Sequence, residues 1–194
     1  MDDHLIQDKP ALWPTVQKKC REIGFDMPAD EKTSSLLRTL VTSKTSSNFL
    51  ELGTGIGASL CWMIDGMDSK SRLTSVDNDP DLIEIVQGFF GNDPRLSLVC
   101  QDGAQWIEEY RGPGFDLIFA DAWPGKYSQV ESLLEKLNPG GLYLVDDMDP
   151  QANWPAGHNE HANDLITFLD SRKDLVITKL NWSTGLIMAT KQPA

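Results

Sequence analysis

The fold of this chain is decided by the stretch Glu51-Leu52-Gly53-Thr54-Gly55-Ile56-Gly57-Ala58, in which three alternating glycines follow a short apolar run and precede an apolar helical segment. Glycines at such a position permit positive φ angles and let a ligand approach the backbone closely. The first turn of the following helix also carries backbone N–H groups without partners inside the helix. This order of strand, glycine-rich turn and helix predicts a ligand-binding turn at the edge of an α/β sheet.

Short apolar runs typical of β-strands recur along the chain and alternate with helical patterns. Strands that are buried on both faces of a parallel sheet are mostly apolar and of this length. The predicted strands are Asn48–Leu52, Leu73–Asp77, Leu96–Gln101, Phe115–Ala120 and Leu142–Asp146. Apolar spacing of three and four residues predicts helices over Asp81–Phe90 and Tyr127–Leu137, and a Pro-Gly-Gly turn ends the second. Such alternation predicts right-handed βαβ units in a doubly wound sheet.

The two ends of the chain depart from this alternation. Residues 1–45 lack a convincing strand and contain two helical candidates, Trp13–Gly24 and Ala29–Val41. Residues 175–191 hold two β runs joined by a Ser-Thr-Gly turn, which predicts an antiparallel hairpin. We therefore expect a helical cap followed by an α/β domain over 46–194. Its sheet is predicted to be Rossmann-like, seven-stranded and mostly parallel, with the hairpin at its C-terminal end.

Composition and charge narrow the function classes. The chain has 194 residues and a formal net charge of −12. Nucleic-acid backbones and anionic membranes attract clustered Lys and Arg, so neither is an expected partner. The three cysteines, Cys20, Cys61 and Cys100, show no disulfide or metal-ligand spacing, and we expect the last two to be buried. With a polar N-terminus and no apolar run near the ~18 residues of a membrane span, we expect a cytoplasmic protein with a small-molecule partner.

The glycine stretch fits two ligand-binding patterns. Gly53, Gly55 and Ala58 satisfy G-x-G-x-x-G/A, the dinucleotide fingerprint. Glu51, with the alternating glycines that end at Gly57, satisfies E-x-G-x-G-x-G, which resembles the adenosylmethionine-binding motif of class I methyltransferases. Both patterns predict a cofactor that contains adenosine.

Two further acidic positions fit an adenosine ligand. Asp77 ends the second predicted strand, where a carboxylate can accept hydrogen bonds from both ribose hydroxyls. The alternative is an N-cap of the next helix, although Asp79 can fill that role. Asp102 and Gly103 follow the third predicted strand, where Asp102 can accept from an adenine amino group. An ordinary Asp-Gly turn is the alternative there.

Carboxylates also follow two later strands. Asp121 follows the fourth, while Asp146 and Asp147 follow the fifth. Because the carboxyl ends of parallel strands meet at one edge of the sheet, these side chains should converge there. Adjacent carboxylates repel one another. Either a cation neutralises them, or some are protonated or held apart by hydrogen bonds to other groups. Oxygen ligands suit Mg²⁺ or Ca²⁺, which makes the three aspartates candidate metal ligands. The alternative is that Asp121 binds the cofactor's amino group and the other two cap loops.

These motifs resemble those of small class I O-methyltransferases related to catechol and caffeoyl-CoA O-methyltransferases. The resemblance covers about residues 27–191, with its specific parts at 51–57, Asp77, 121–127 and 146–147. The stretches DAWPGKY and DDMDPQANWPAGH also resemble a bacterial subgroup of O-methyltransferases. The resemblance implies S-adenosylmethionine-dependent methylation of a small-molecule hydroxyl. It also implies that the N-terminal segment covers the cofactor, with Met27 near the donor methyl group.

The resemblance implies a metal site and a catalytic lysine. In the relatives, a strand-end Asp and a later Asp-Asn pair hold a divalent metal, and Asp147 of this chain stands where Asn is expected. The relatives' aromatic residue near adenine falls on Trp123. Their catalytic lysine falls on Pro124, and Lys126 follows two residues later. The cofactor-binding candidates are Glu51, Gly53, Thr54, Gly55, Gly57, Asp77, Asn78, Asp102, Gly103, Asp121 and Trp123.

Histidines after the fifth strand add candidates for proton transfer. His158 and His161 follow Trp154, which could line a pocket, and imidazoles titrate in the range useful for a general base. Two surface histidines at the start of a helix are the alternative. The candidate catalytic residues are therefore Asp121, Lys126 and His158.

Two other functions use the same glycine turn. An NAD-dependent oxidoreductase would also use Asp77, but the chain has no clear Tyr-x-x-x-Lys or histidine-based arrangement for hydride transfer. The terminal hairpin is also atypical of nicotinamide-binding folds. A non-catalytic adenosylmethionine-binding protein is the third hypothesis. The candidate protein partner is a second copy of the chain, with which it would form a homodimer.

Overall fold

The computed structural model describes residues 5–151 and 154–193, which form a seven-stranded sheet covered by seven helices. The strands are β1 (Asn48–Leu52), β2 (Arg72–Asp77), β3 (Leu96–Cys100), β4 (Phe115–Ala120), β5 (Leu137–Val145), β6 (Leu175–Leu180) and β7 (Leu186–Lys191). The helices are α1 (Trp13–Ile23), α2 (Glu31–Thr42), α3 (Ala58–Gly66), α4 (Pro80–Phe90), α5 (Gly103–Glu109), α6 (Val130–Glu135) and α7 (His158–Ser171).

The strand order is β3-β2-β1-β4-β5-β7-β6. Strands β1 to β5 pair in parallel, whereas β7 is antiparallel to both β5 and β6. The predicted doubly wound, mostly parallel sheet with a C-terminal antiparallel hairpin is therefore confirmed. The order reverses between β1 and β4, where open α/β sheets bind their ligands.

Two hydrophobic clusters cover the two faces of the sheet. Phe49 and Leu50 are neighbours on β1 but belong to different clusters, because successive side chains of a strand point to opposite faces. Helices α1 to α4 contribute to the cluster that contains Phe49, and α5 to α7 contribute to the other. Because both faces are covered, the central strands are mostly apolar.

Most predicted elements are present, but some bounds and one burial prediction differ. Strand β5 begins at Leu137 and ends at Val145, whereas the predicted strand begins at Leu142 and ends at Asp146. The helix predicted over Tyr127–Leu137 is wrong at both ends, since α6 is shorter and Leu137 already pairs with Phe115 in β5. The N–H groups of Tyr127 and Ser128 bond back to the Trp123 carbonyl, which makes a turn before α6. Cys100 is exposed, contrary to expectation, because it ends the edge strand β3.

The N-terminal helices share their core with the sheet. Trp13 of α1 and Leu37 of α2 are buried in the cluster that contains Phe49 and the α3 residue Trp62. The domain boundary between residues 45 and 46 stays a prediction, and residues 1–4, 152–153 and 194 lie outside the described chain. Within the described ranges, every helix is too short or too polar to cross a bilayer.

Candidate functional site

A cavity of about 650 Å³ opens at the carboxyl ends of β1, β2, β4 and β5. It lies where the strand order reverses, and its volume is in the range of small-molecule sites. The residues that line it lie at 25–30, 53–56, 58–59, 77–79, 121–123, 126–127, 146–147 and 154–155, with Leu82, Gln151, His158 and Thr184. The fold thus brings the glycine turn, Asp77 and the acidic residues to one site, as the sequence predicts.

Gly53 lets the ends of β1 and β4 approach each other. Its φ is +96°, and a Cβ atom built on it would lie 2.5 Å from the Asp121 carbonyl oxygen. The Asp121 N–H donates to the Leu52 carbonyl at 2.9 Å, so this close approach is part of the sheet itself. Only glycine meets both the conformational and the steric requirement.

We expect Gly53→Ala to lower the free energy of unfolding by about 2–5 kcal/mol, because it combines backbone strain with a clash against main chain. Gly88 is the matched control, since it lies in the last turn of α4 and a Cβ atom there meets nothing within 4 Å. Gly88→Ala should stabilise the chain by about 0.5–1 kcal/mol. Urea unfolding measures both variants, and equal effects would contradict the assigned role of Gly53.

Asp77 faces the cavity while holding the glycine turn. Its Oδ2 accepts from the Gly55 N–H at 2.8 Å, and its Oδ1 accepts from the Asp79 N–H at 3.0 Å. Asp79, not Asp77, caps α4, because its Oδ1 accepts from the Asp81 and Leu82 N–H groups. Asp79 therefore takes the N-cap role that was the alternative for Asp77, and the Asp77 carboxylate lies on the cavity wall.

Glu51 lies behind the cavity rather than on its wall. Its carboxyl is fully buried and accepts from the Ser59 and Ser75 hydroxyls, each at 2.5 Å. Ser75 also shares a 2.6 Å hydrogen bond with Thr54, and Thr54 and Ser59 do line the cavity. Burial raises the pKa of Glu51 to about 7, although both serine hydrogen bonds oppose the shift. Glu51 thus supports the wall through these hydroxyls.

We expect Glu51→Gln to flatten the pH dependence of stability. The folded chain holds the Glu51 proton up to a pKa of about 7, whereas an unfolded glutamate loses it near 4.5. The contribution of Glu51 to the free energy of unfolding is therefore fully present below pH 4.5 and is lost as pH rises to about 7. The loss amounts to about 3 kcal/mol. Urea unfolding at about pH 5 and pH 8 measures the loss, and Gln should reduce it.

This experiment must account for a second carboxyl that titrates in the same pH range, and it needs a control variant. Asp146 has its pKa raised to about 6, so it adds a loss of the same sign and the Gln variant keeps part of the dependence. Glu84 is exposed on α4, and Glu84→Gln should leave the pH dependence as in the wild type. A Glu51→Gln variant with an unchanged pH dependence would show that this carboxyl titrates normally.

Not every predicted cofactor contact reaches the cavity. Those on its wall are Gly53, Thr54, Gly55, Asp77, Asn78, Asp121 and Trp123. Those outside its lining are Glu51, Gly57, Asp102 and Gly103. Asp102 is exposed and caps α5 by accepting from the Gln105 N–H at 2.9 Å, a role that neither the adenine contact nor the Asp-Gly turn predicted. Gly103 lies against Pro124.

The acidic residues meet a buried lysine at the cavity. Asp121, Asp146 and Asp147 all line it, as does Lys126, which is 5% exposed. Among the described residues, the Lys126 amine has no hydrogen bond or ion pair and lies 5.2 Å from the Tyr127 ring centroid, so it is available to a ligand. Burial lowers the pKa of Lys126, and the charges of the three aspartates, led by Asp121, oppose that shift. Burial and the charge of Asp146 raise the pKa of Asp121 well above its ordinary value.

Within the described residues, the structure does not show the predicted metal site at these aspartates. Across residues 5–151 and 154–193, no three His, Cys, Asp or Glu side chains come together as ligands. Asp146 Oδ1 instead accepts from the Thr184 hydroxyl at 2.7 Å, from the Thr33 hydroxyl at 3.4 Å and from the Asp147 N–H at 2.8 Å. Lys126 places a cation near the same carboxylates. The assignment of Asp121, Asp146 and Asp147 as metal ligands therefore stays a prediction.

A tight turn presents Lys126 and Tyr127 to the cavity. The Lys126 N–H bonds to the Trp123 carbonyl at 3.3 Å, and Gly125 has φ +86°, as in a type II turn with Pro before Gly. The buried Tyr143 hydroxyl donates to the Gly125 carbonyl at 2.5 Å and anchors the turn to β5. No sequence motif marked Tyr127 as a residue of the cavity, because the apolar spacing after it predicts a helix.

Aromatic rings line another part of the cavity. The Tyr127 hydroxyl and His158 Nε2 are 3.0 Å apart, and the Trp154 and His158 ring centroids are 4.3 Å apart. Trp123 packs on Tyr127 with centroids 5.0 Å apart and stays 47% exposed. His158 therefore belongs to the site and is not merely a surface residue. His161 contacts the Trp123 ring but is exposed and outside the cavity lining.

The N-terminal segment closes one side of the cavity. Residues 25–30, which include the exposed Met27, line it between α1 and α2. Thr33 on α2 and Thr184 in the hairpin turn both bond Asp146, so the two ends of the chain meet at the site. No sequence motif marked these threonines, because their role depends on contacts between distant segments.

Comparisons with known proteins agree with this site. A profile of the family described as "Methyltransferase domain" matches residues 50–148. A "Putative O-methyltransferase" from Mycobacterium avium is 29% identical over 133 residues, which cover 64% of this chain and 60% of that protein. A "Putative caffeoyl-CoA O-methyltransferase" from Arabidopsis thaliana is 28% identical over 139 residues, covering 69% and 59%. The chain thus spans about three fifths of the length of the curated relatives that it matches.

Solved structures share the fold over almost the whole chain. An O-methyltransferase from Bacillus cereus, in complex with SAH, has a TM-score of 0.82 at 19% identity, covering 98% of this chain and 94% of that one. The O-methyltransferase TomG from Streptomyces achromogenes, in complex with SAM, has a TM-score of 0.83 at 18% identity, covering 98% and 94%.

The predicted resemblance to O-methyltransferases, including those named for caffeoyl-CoA, is confirmed by the relatives. The family profile covers half of the chain and runs from the glycine turn through Asp77 to the acidic residues after β5. The chain belongs to the methyltransferase domain family.

Proposed function

We propose that this chain is an S-adenosylmethionine-dependent O-methyltransferase that acts on a small-molecule hydroxyl. The observation that carries this proposal is that two kinds of group line one cavity. The glycine turn and Asp77 form one group, named here the cofactor wall, and Lys126, Tyr127 and His158 form the other, named the acceptor wall. A cofactor wall and a polar, aromatic acceptor wall in one cavity are what group transfer between two small molecules requires.

The cofactor wall would bind adenosine and its attached amino acid. Asp77 would accept hydrogen bonds from ribose hydroxyls, and the Gly53–Gly55 turn allows close approach of the ligand to the backbone. Asp121 would accept from the amino group of the cofactor. When bound, S-adenosylmethionine supplies an electrophilic methyl group on a sulfonium. The names of relatives and neighbours that act as O-methyltransferases or contain SAM or SAH support this cofactor.

The acceptor wall would hold the hydroxyl and manage its proton. Lys126 is buried and unpaired among the described residues, so its ammonium would stabilise negative charge that develops on the acceptor oxygen. His158 would receive the proton that leaves this oxygen. Trp123 and the segment 25–30 would shield the reacting groups from water.

The predicted Mg²⁺ or Ca²⁺ has no place in this proposal. Asp146 is held by two threonine hydroxyls, and Lys126 already supplies positive charge near the three aspartates. We therefore derive no step that uses a metal. A homodimer and a cytoplasmic location stay predictions.

Calorimetric titration with S-adenosylhomocysteine tests the cofactor assignment. We expect micromolar binding, about −8 kcal/mol, that is unchanged by Mg²⁺ or by a chelator. NAD titrated under the same conditions should not bind. Failure of S-adenosylhomocysteine to bind would overturn the proposed function, and binding of NAD alone would favour the oxidoreductase alternative.

Turnover separates an enzyme from a cofactor-binding protein without activity. A panel of hydroxyl acceptors incubated with S-adenosylmethionine should give S-adenosylhomocysteine over many turnovers with at least one acceptor. Tight cofactor binding without product from any acceptor would favour the non-catalytic alternative.

A further inference from the structure

The pair formed by Tyr127 and His158 is not explained by cofactor binding. Resting on the proposed function, we infer that Tyr127 takes the proton from the acceptor hydroxyl and passes its own proton to His158. Tyr127 is then a catalytic residue that touches the acceptor, and His158 acts through it. Two hydrogen-bonded groups thereby share the task that a single general base performs.

The geometry of the pair suits such a relay. The Tyr127 hydroxyl lies 3.0 Å from His158 Nε2, which is hydrogen-bond distance for direct proton transfer. Both residues line the cavity and are half-buried. Because His158 Nε2 faces Tyr127, the acceptor hydroxyl would contact the phenol oxygen and not this ring nitrogen. A lone pair of the phenol oxygen can receive the acceptor proton while the phenol O–H donates to His158.

Surrounding contacts fix both partners of the pair. The Tyr127 N–H bonds to the Trp123 carbonyl at 2.8 Å, within the turn that Tyr143 anchors. His158 begins α7 and lies against Trp154, with ring centroids 4.3 Å apart. The two rings of the pair are nearly perpendicular, at 89°, with centroids 5.1 Å apart. A relay requires this kind of fixed alignment.

The charges that face the pair favour the starting state of the relay. Burial raises the pKa of Tyr127 to about 12, and the charges of Asp147 and Asp121 raise it too. Burial lowers the pKa of His158, and Lys126 and His161 lower it further, while Asp147 opposes them. Near neutral pH the phenol is therefore protonated and the imidazole neutral, so the phenol can donate and the imidazole can accept.

The proton and electron balance closes within the site. The acceptor O–H bond breaks, its proton forms a new O–H bond on Tyr127, and the former Tyr127 proton forms an N–H bond at His158 Nε2. The electron pair left on the acceptor oxygen forms the bond to the methyl carbon. The carbon–sulfur bond of the sulfonium breaks, and its electron pair stays on sulfur. His158 becomes an imidazolium and returns its proton to solvent, to which it is partly exposed.

The first test needs no acceptor. Nitrogen-15 NMR of the full chain, free and with S-adenosylhomocysteine, reports which ring nitrogen of His158 carries the proton, and His158→Gln identifies its signals. We expect Nε2 to be unprotonated and Nδ1 protonated, with the Nε2 signal shifted in Tyr127→Phe. A protonated Nε2 in the wild type would overturn the relay, because His158 would then donate to Tyr127.

The second test separates proton transfer from packing. Catechol enters with a protonated hydroxyl, whereas 4-nitrocatechol is largely ionised at mildly alkaline pH and needs no proton acceptor. Tyr127→Phe should lower turnover of catechol by on the order of 10²-fold and should change turnover of 4-nitrocatechol little. Tyr110→Phe is the matched control, since the Tyr110 hydroxyl bonds the Pro113 carbonyl away from the cavity. We expect Tyr110→Phe to resemble the wild type with both acceptors.

The outcomes distinguish failure of the relay from failure of the proposed function. Equal losses on both acceptors in Tyr127→Phe would mean that Tyr127 only packs or binds, which overturns the relay while methyl transfer stands. A wild type that binds no S-adenosylhomocysteine would overturn the proposed function itself. If the wild type binds S-adenosylhomocysteine but methylates neither catechol nor 4-nitrocatechol, the NMR result alone supports or overturns the relay.

Discussion

Lys126→Met should lower turnover by about 10²- to 10³-fold while leaving affinity for S-adenosylhomocysteine nearly unchanged. Met keeps the length of the side chain but removes the positive charge that Lys126 holds at the acceptor wall, where it is 5% exposed. An oxyanion that develops in such a buried place loses more from a missing charge than one in water. The measurement is product formation under saturating cofactor, with affinity taken from calorimetry.

Lys70→Met is the matched control, because Lys70 is exposed in the loop between α3 and β2. It should keep both turnover and affinity. Thermal unfolding of both variants checks that neither effect comes from lost structure. Normal turnover by a folded Lys126→Met variant would exclude the assigned role, and an equal loss of cofactor affinity would move Lys126 to the cofactor wall.

Asp77→Ala should weaken S-adenosylhomocysteine binding by about ten- to a hundredfold. The charged acceptor at the end of β2 would bond ribose hydroxyls, and such hydrogen bonds contribute about 1.5–3 kcal/mol. The variant also leaves the Gly55 N–H, 2.8 Å from Asp77 Oδ2, without its partner. Calorimetry measures the affinity, and urea unfolding measures the cost to the turn.

Two further variants separate these contributions. Asp77→Asn keeps an oxygen for the Gly55 N–H but loses the charge, so its affinity should lie between those of the wild type and Asp77→Ala. Asp81→Ala removes an exposed carboxylate from the first turn of α4, outside the cavity lining, and should leave binding unchanged. Equal affinity of the wild type and Asp77→Ala would contradict the ribose assignment.

Local patterns were sufficient for the sheet and for the cofactor wall. The apolar runs of β1 and β4 predict buried parallel strands because their side chains must be apolar on both faces. The spacing of glycines after Leu52 predicts the turn, since Gly53 alone tolerates the approach of the Asp121 carbonyl. Asp77 follows from its place at a strand end, where backbone geometry aims it at the cavity. In each case the pattern that carries the prediction lies within a short stretch of the chain.

The acceptor wall shows where local patterns fail. Apolar spacing after Tyr127 predicts a helix, yet the Pro-Gly turn and the Tyr143 hydroxyl hold this segment in another conformation. The aspartates after β4 and β5 predict a metal site, yet hydroxyls of Thr33 and Thr184 bond one of them. These partners are distant in sequence, so no spacing rule reveals them.

The sequence by itself therefore determined the order of strands and helices, the antiparallel end of the sheet and the glycine turn with Asp77, because periodicity and backbone sterics are local properties. Only the tertiary structure decided which predicted residues reach the cavity, why Glu51 and Asp102 do not, and how Lys126, Tyr127 and His158 meet. Burial and hydrogen bonding between distant segments set these choices, and both arise only when the chain has folded.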